Sequence, residues 1–327
     1  MEVSGSINYK VLNYLLKKIV ETNSIDKDSM NKSEKISAKL LKKKYLPTET
    51  SEFSRSFSLN EVIDIVYKFL DSFDHDMAIQ YDVLIHQKLA DGTPAVKFID
   101  GKYNPDAESL FNGEDEIQFV FYGDPIDITT LLHEMIHMMN HSPIIREEYF
   151  GSISLHYDVI TETKRILSEV ASITFELLLN DYLLENGYIN ENDYNLIYND
   201  RLDSTKADAE EIIVKSELIK LYLRDGHIDF INLTNLLNSR DRKSMIGQVL
   251  RYEYRYLDII LDALDDLDMS ISEPEKYVLG LTIADEIIKG DKPYDDALWI
   301  HNELGDPNSE LCLVAEDLER DYSIKIR

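Results

Sequence analysis

The sequence has few of the residues and segments that mark disulfide-rich, low-complexity or membrane-spanning proteins. Its single cysteine, Cys312, excludes an internal disulfide and a zinc site built on several thiolates. Only 12 glycines and 8 prolines occur in 327 residues, too few for a collagen-like or low-complexity chain. No apolar run approaches the roughly 18 residues that a membrane span needs. We therefore expect a globular protein without a membrane partner, in which any metal is bound by histidine and carboxylate side chains.

Positive charge is also scarce, with 34 lysines and arginines against 62 acidic residues and a net charge of −28. Such a chain repels the phosphate backbones of DNA and RNA, so we expect no nucleic-acid partner. Its field favours cationic substrates, although a field alone defines no site. The N-terminus lacks the basic-then-apolar pattern of a signal peptide, which favours a cytoplasmic location, with export by a route that uses no such signal as the alternative.

The positive charge is concentrated at the N-terminus. Residues 1–46 contain ten lysines and five acidic residues, and the apolar spacing there indicates helices. Pro47 and a Ser/Thr/Glu-rich stretch to Ser58 are typical of a linker. We therefore predict a basic helical arm and linker over residues 1–50 and a catalytic domain over 51–327. The arm is interpreted as a solvated surface helix, with docking on the acidic remainder as the alternative.

The rest of the chain is predicted to be mainly helical. A helix with apolar residues at helical spacing starts near Leu59. Two short runs rich in β-branched and aromatic residues, 95–99 and 117–122, indicate strands. Almost every long segment after residue 127 has a helical pattern. The fold class is therefore predicted to be mainly α with a small β-sheet.

The chemistry is concentrated in residues 133–137, which read His-Glu-Met-Ile-His. Histidines at positions i and i+4 share one helix face, so His133 and His137 can bind one ion. Glu134 lies about 100° round the helix from His133, where it can take a proton from a water on that ion. A strand precedes the motif, and Asp127 is predicted to be the N-cap of the helix. This setting predicts a zinc site.

A catalytic zinc site also needs a third protein ligand. His141 continues the histidine series, but on a straight helix it lies about 12 Å from His133 along the axis, too far to share an ion. His156 falls in a stretch with a loop-like pattern. Both histidines are therefore weak candidates for the third ligand.

The next predicted helix, 160–186, offers better candidates. Glu162, Glu169 and Glu176 recur there every seven residues and so share one stripe. Apolar neighbours enclose Glu169 most closely, and a buried carboxylate requires a partner or a metal. We predict Glu169 to be the third ligand, and solvent contact or ion pairing for Glu162 and Glu176.

Two stretches carry a family resemblance. Residues 117–140, IQFVFYGDPIDITTLLHEMIHMMN, resemble the strand and helix around the zinc site of oligoendopeptidase F and its thimet oligopeptidase relatives. Residues 168–186, SEVASITFELLLNDYLLEN, are similar to the second motif of that family. The resemblance implies a zincin-type catalytic domain with the metal between two long helices. It also implies that Glu169 ligates zinc and that Glu176 supports the site.

The chain departs from the family pattern at several points. Ile136 stands where the family usually has glycine, and residues 141–160 look like an insertion. The family has a histidine and tyrosines, upstream of a Tyr-x-x-Gly run, that grip the substrate and the oxyanion. Here the stretch upstream of Tyr277, LDMSISEPEK, contains no histidine and no tyrosine, and Tyr277 itself is the candidate for this role. Three further tyrosines, Tyr252, Tyr254 and Tyr256, remain alternatives.

The function predicted from these residues is that of a zinc metalloendopeptidase, with one Zn²⁺ per chain held by His133, His137 and Glu169. Glu134 would act as general base toward a zinc-activated water that hydrolyses a peptide bond in a peptide or protein substrate. Three alternatives remain open: a zinc hydrolase with a non-peptide substrate, a toxin-like or effector-like protease specific for one protein, and a binding protein that has lost turnover.

Overall fold

The computed structural model describes residues 7–21, 27–89, 91–103, 109–111, 116–141, 157–238, 253–266, 270–306 and 309–322. In these ranges the twelve helices are α1 (Tyr9–Glu21), α2 (Lys27–Leu41), α3 (Leu59–Phe73), α4 (His75–His86), α5 (Ile126–His141), α6 (Tyr157–Glu185), α7 (Glu191–Asp225), α8 (Phe230–Asn238), α9 (Glu253–Asp265), α10 (Ser272–Ile288), α11 (Pro293–Gly305) and α12 (Leu311–Tyr322). The strands are β1 (Val96–Asp100), β2 (Leu110–Phe111) and β3 (Ile117–Phe121). The prediction of a mainly helical chain with a small sheet is confirmed. No helix in the described ranges combines the length and apolar character needed to cross a bilayer.

The chain divides into two compact units, with the boundaries falling inside α7 and α10. The first unit contains the residues up to Lys44 and Asp203–Thr282. Leu12 and Leu16 of α1 are fully buried in its core, together with apolar residues of α2, α7, α8 and α9. The interpretation of the arm as a solvated surface helix is therefore wrong, because the apolar faces of its helices supply core residues. The chain changes unit at Tyr45, and the first unit also includes Asp203–Thr282 from the predicted catalytic domain.

The second unit contains Tyr45–Leu202 and Ile283–Ile326. Its three-stranded sheet has the order β1–β3–β2. β1 runs parallel to β3, with Val96 opposite Ile117, and β2 runs antiparallel to β3. Strands were predicted at 95–99 and 117–122, and both are confirmed within one residue. β2 was missed because two residues are too short for any periodic pattern.

Helices α3 and α6 are joined by aromatic side chains in this unit. Ser58 and Glu61 form a reciprocal capping box at the start of α3, which satisfies two of its unpaired N–H groups. The ring of Phe69 meets that of Tyr182 edge-on at 5.5 Å, and the ring of Phe73 meets that of Phe175 at 5.3 Å. These aromatic contacts hold α6 against α3.

The turn between β3 and α5 is organised by the buried carboxylate of Asp127. Its Oδ2 accepts backbone N–H groups from Tyr122 at 3.0 Å, Gly123 at 2.5 Å and Asp124 at 3.2 Å. Gly123 has φ +88°, a left-handed conformation that glycine adopts without strain. The helix begins at Ile126, so the prediction of Asp127 as N-cap is wrong. Its side chain instead binds the turn that precedes the helix.

The predicted linker lies along α7 as an extended strap, defined here as residues 45–57. Three asparagines spaced along α7 hydrogen-bond to its backbone: Asn199 to Leu46, Asn195 to Pro47, and Asn192 to Glu49 and Thr50. Farther along, the Ser54 N–H donates to Asp193 at 2.8 Å. Phe57 N–H then donates to the carbonyl of Gly123 at 2.9 Å. The strap thus connects α7 with the turn that begins α5.

Removing the Asp127 carboxylate should loosen this turn. We expect Asp127→Ala to lower the free energy of unfolding by about 2–3 kcal/mol, because three N–H groups lose their acceptor. Burial and the neighbouring Asp124 raise the pKa of Asp127 to about 7, so a neutral amide that keeps the acceptor oxygen should be tolerated. Urea unfolding of both variants checks this, and an equal loss in Asp127→Asn and Asp127→Ala would contradict it.

A second prediction concerns His301 on α11, which is 6% exposed and packs against the ring of Phe175. Burial lowers the pKa of His301 from 6.5 to about 4. Between these pH values the unfolded chain binds a proton at this position and the folded chain does not, so stability falls as the pH falls. We expect His301→Leu to remove about 2–3 kcal/mol of the stability lost between pH 7.5 and 4.5.

Urea unfolding at pH 7.5 and pH 4.5 measures this difference. The control is His86→Leu, which replaces a histidine whose side chain is 73% exposed at the end of α4. It should keep the wild-type loss on acidification. If His301→Leu also kept the full wild-type loss, buried neutral His301 would not be a source of the acid sensitivity.

Candidate metal centre

The histidine motif lies on α5, whose apolar residues Leu132, Met135 and Ile136 are fully buried. This burial orients the helix and turns His133 and His137 toward α6. His133 is 6% exposed, whereas His137 and Glu134 are partly buried. The spacing argument therefore placed both imidazoles correctly on one helix face.

Glu169 on α6 completes a group of three possible ligands. The Nε2 atoms of His133 and His137 lie 3.0 Å apart. Glu169 Oε2 is 3.5 Å from His133 Nε2, and Oε1 is 3.6 Å from His137 Nε2. Within the described ranges, these residues form the one cluster of at least three histidine, cysteine or acidic side chains able to hold a metal ion.

The spacing and chemistry of these donors fit a metal ion. Ligands of a tetrahedral zinc ion, each about 2.0–2.1 Å from it, lie roughly 3.3 Å from one another. The nearest approaches between the three side chains, 3.0, 3.5 and 3.6 Å, are close to that value, with one carboxylate oxygen of Glu169 facing each histidine. One ligand atom from each of the three residues lies within 4.8 Å of the other two. Two imidazole nitrogens and one carboxylate oxygen form a donor set that zinc accepts, as do other divalent ions.

Each histidine is oriented through its other ring nitrogen. His133 Nδ1 contacts Glu176 Oε1, and His137 Nδ1 lies 2.8 Å from the hydroxyl oxygen of Ser168. A carboxylate acceptor places the proton of neutral His133 on Nδ1, which leaves a lone pair on Nε2. Such outer contacts fix the ring orientation of metal-binding histidines.

The surroundings of His133 are strongly charged for a buried site. Burial alone would lower the pKa of His133, but the charges of Glu176 and Glu169 and the hydrogen bond that His133 Nδ1 donates to Glu176 outweigh it and raise the pKa. Burial alone would raise the pKa of Glu176, but Arg201 and His133 lower it. Glu176 is therefore an anion in the folded protein, and the predicted ion pairing of this residue is confirmed by its contact with Arg201.

The remaining predicted residue with a described side chain is Tyr277. Tyr277 lies on α10 in the first unit, with Lys276 Nζ 4.6 Å from its ring centroid. Its oxyanion role stays a prediction.

The remaining alternatives cannot be placed in the site. Outside the described residues lie His156, Tyr252 and most of the predicted insertion, namely residues 142–156. The helices described here include His141, Glu162, Tyr254 and Tyr256, but the structure does not describe their side chains. The residue that the sequence analysis missed is Arg201, which belongs to α7 and contacts Glu176.

Comparison of the chain with protein-family models, with curated proteins and with solved structures gives no significant match. The resemblance to the oligoendopeptidase F family therefore rests on the two sequence stretches and stays a prediction.

The cluster predicts a defined pattern of metal loss. After loading with zinc and gel filtration, we expect one ion per wild-type chain. His133→Ala, His137→Ala and Glu169→Ala should each retain less than about a tenth of it, because each removes one of three donors. Matched controls are His86→Ala and Glu185→Ala, which change exposed residues of α4 and α6 and should keep full occupancy. Full occupancy in His133→Ala and Glu169→Ala would overturn the ligand assignment.

Proposed function

We propose that this chain is a zinc-dependent metallopeptidase that hydrolyses peptide bonds. The observation that carries the proposal is the close approach of His133, His137 and Glu169 at a buried helix interface, where their nearest ligand atoms are 3.0–3.6 Å apart. Glu134 follows His133 directly on the same helix. This combination of three protein donors and an adjacent carboxylate is typical of zinc sites that activate water.

His133, His137 and Glu169 would hold the zinc ion. A bound zinc ion lowers the pKa of a water molecule toward 7 and polarises a carbonyl group. The surrounding contacts support this assignment, because Glu176 and Ser168 already hold the two imidazoles through their Nδ1 atoms.

Glu134 would carry the proton in the reaction. Its carboxylate accepts a proton from the water that attacks the carbonyl carbon of the peptide bond. It then donates that proton to the nitrogen of the leaving amine when the C–N bond breaks. The partial burial of Glu134 is compatible with this task, since the carboxylate must reach substrate. Zincin-type architecture and membership of the oligopeptidase family belong to the same proposal and rest on the motif.

The test is turnover of a mixed peptide library by the zinc-loaded protein. We expect cleavage by the wild type and a loss of at least about 100-fold in Glu134→Gln, because proton transfer typically contributes 10²–10⁴-fold. Glu134→Gln should retain one zinc per chain, since Glu134 is not a ligand. Glu185→Gln, an exposed change on α6, is the matched control and should cleave like the wild type.

The outcomes separate the alternative functions. Undiminished turnover in Glu134→Gln would contradict the role of Glu134. Full zinc binding without cleavage of any library peptide would overturn a general peptidase. Screening protein substrates would then distinguish a protein-specific protease from a binding protein.

A further inference from the structure

Arg201 and Glu176 form a two-pronged ion pair behind the metal centre. Arg201 Nε donates to Glu176 Oε2 at 2.8 Å, and Arg201 Nη2 contacts Glu176 Oε1. The same Oε1 contacts His133 Nδ1. The side chain of Glu176 is 6% exposed and that of Arg201 is 23% exposed, so water screens this pair only weakly. Arg201, Glu176 and His133 therefore form a continuous chain of hydrogen bonds that ends at a possible ion ligand.

The position of Arg201 is fixed independently of the metal centre. Asn199, two residues earlier on α7, makes paired hydrogen bonds to Leu46, with 2.7 Å to its N–H and 2.8 Å to its carbonyl. Asn195 and Asn192 continue these contacts along the strap. These hydrogen bonds fix the N-terminal half of α7 against the strap. The guanidinium of Arg201 therefore extends from a segment whose position is already set.

We propose that Arg201 is a positioning residue for the metal centre, acting through Glu176 on His133. The proposal rests on the proposed function in one respect, namely that His133 is an ion ligand. The planar guanidinium holds both carboxylate oxygens, which leaves Oε1 in one fixed orientation toward His133 Nδ1. That contact sets the rotation of the imidazole and the direction of Nε2. Loss of such outer contacts typically weakens metal binding 10–100-fold.

The positive charge of Arg201 would weaken metal binding, whereas its positioning contact would strengthen it. A guanidinium near a divalent cation repels it, so removing the charge alone would tighten metal binding. The two effects are separable, because lysine keeps the charge but cannot make the planar two-pronged contact. Positioning predicts that Arg201→Lys and Arg201→Met both weaken binding. A charge effect predicts wild-type affinity in Arg201→Lys and tighter binding in Arg201→Met.

The experiment measures the zinc dissociation constant of the full-length protein by competition with a chromophoric chelator. We expect Arg201→Met to weaken zinc binding about tenfold or more, and Arg201→Lys by a smaller but clear factor. In a Glu176→Gln background, Arg201→Met should add less than about threefold, because the carboxylate it positions is already gone. The visible absorption of the Co²⁺-loaded protein should also change in Arg201→Met, since it reports ligand geometry.

A matched control separates positioning from general destabilisation. Lys215→Met removes another buried cation, one that pairs with Glu211 at 2.5 Å and donates to the Ser270 carbonyl in the first unit. It should lower the free energy of unfolding but leave zinc affinity and the Co²⁺ spectrum unchanged. A purely structural role for Arg201 would give the same result as this control.

The results that would contradict the ion-ligand role of His133 differ from those that would contradict the positioning role of Arg201. Wild-type protein that binds no zinc, or binds it without His133, would overturn the ion-ligand role of His133 and this inference with it. Zinc binding that requires His133 but is unchanged or tighter in Arg201→Met would overturn the positioning role alone. Equal effects of Arg201→Met with and without Glu176 would also overturn it, because the influence would not pass through that carboxylate.

Discussion

The interface between α5 and α6 buries charged groups among apolar side chains. The positions of several helices in the second unit depend on this constraint. His133, Glu169 and Glu176 are each at most 6% exposed, next to fully buried residues such as Leu132 and Val170. An isolated ionised carboxylate in such surroundings would cost several kcal/mol. The structure offsets this cost by placing Glu176 between a guanidinium and an imidazole, and Glu169 against both histidines.

This arrangement requires three segments far apart in sequence to be positioned together. α5 is oriented by the turn that Asp127 binds, α6 by its aromatic contacts with α3, and α7 by the strap. The strap links two of these, because it hydrogen-bonds to α7 and then to the carbonyl of Gly123 at the start of α5. A displacement of any of the three helices would separate charges that compensate one another, so the site and the packing of this unit are interdependent.

The sequence predicted the parts of the site that depend on local geometry. The four-residue spacing of His133 and His137 and the enclosure of Glu169 follow from helix periodicity, and the structure brings these three together. Arg201 could not be predicted in this way. It lies 25 residues after Glu176, beyond the turn at Gly187. Buried and exposed residues alternate along the long helix α7, so the sequence pattern does not distinguish Arg201 from its neighbours. The strap contacts were hidden for the same reason, since asparagines 192, 195 and 199 are recognisable as a series only once residues 45–57 lie beside them.

A carboxylate orients His133, whereas a hydroxyl group orients His137. The charge of the site accounts for this difference. With Glu169 and Glu176 ionised and Arg201 protonated, these three side chains together carry a net charge of −1 beside the two neutral imidazoles. A second ionised carboxylate behind His137 would make it more negative in a low-dielectric interface, at a further desolvation cost. The neutral hydroxyl of Ser168 orients His137 without that cost. Arg201 plays the corresponding part behind His133, because it allows a full carboxylate there while adding no net negative charge. The ion pair and the serine are thus two solutions to one problem: orienting an imidazole without accumulating charge where water cannot screen it.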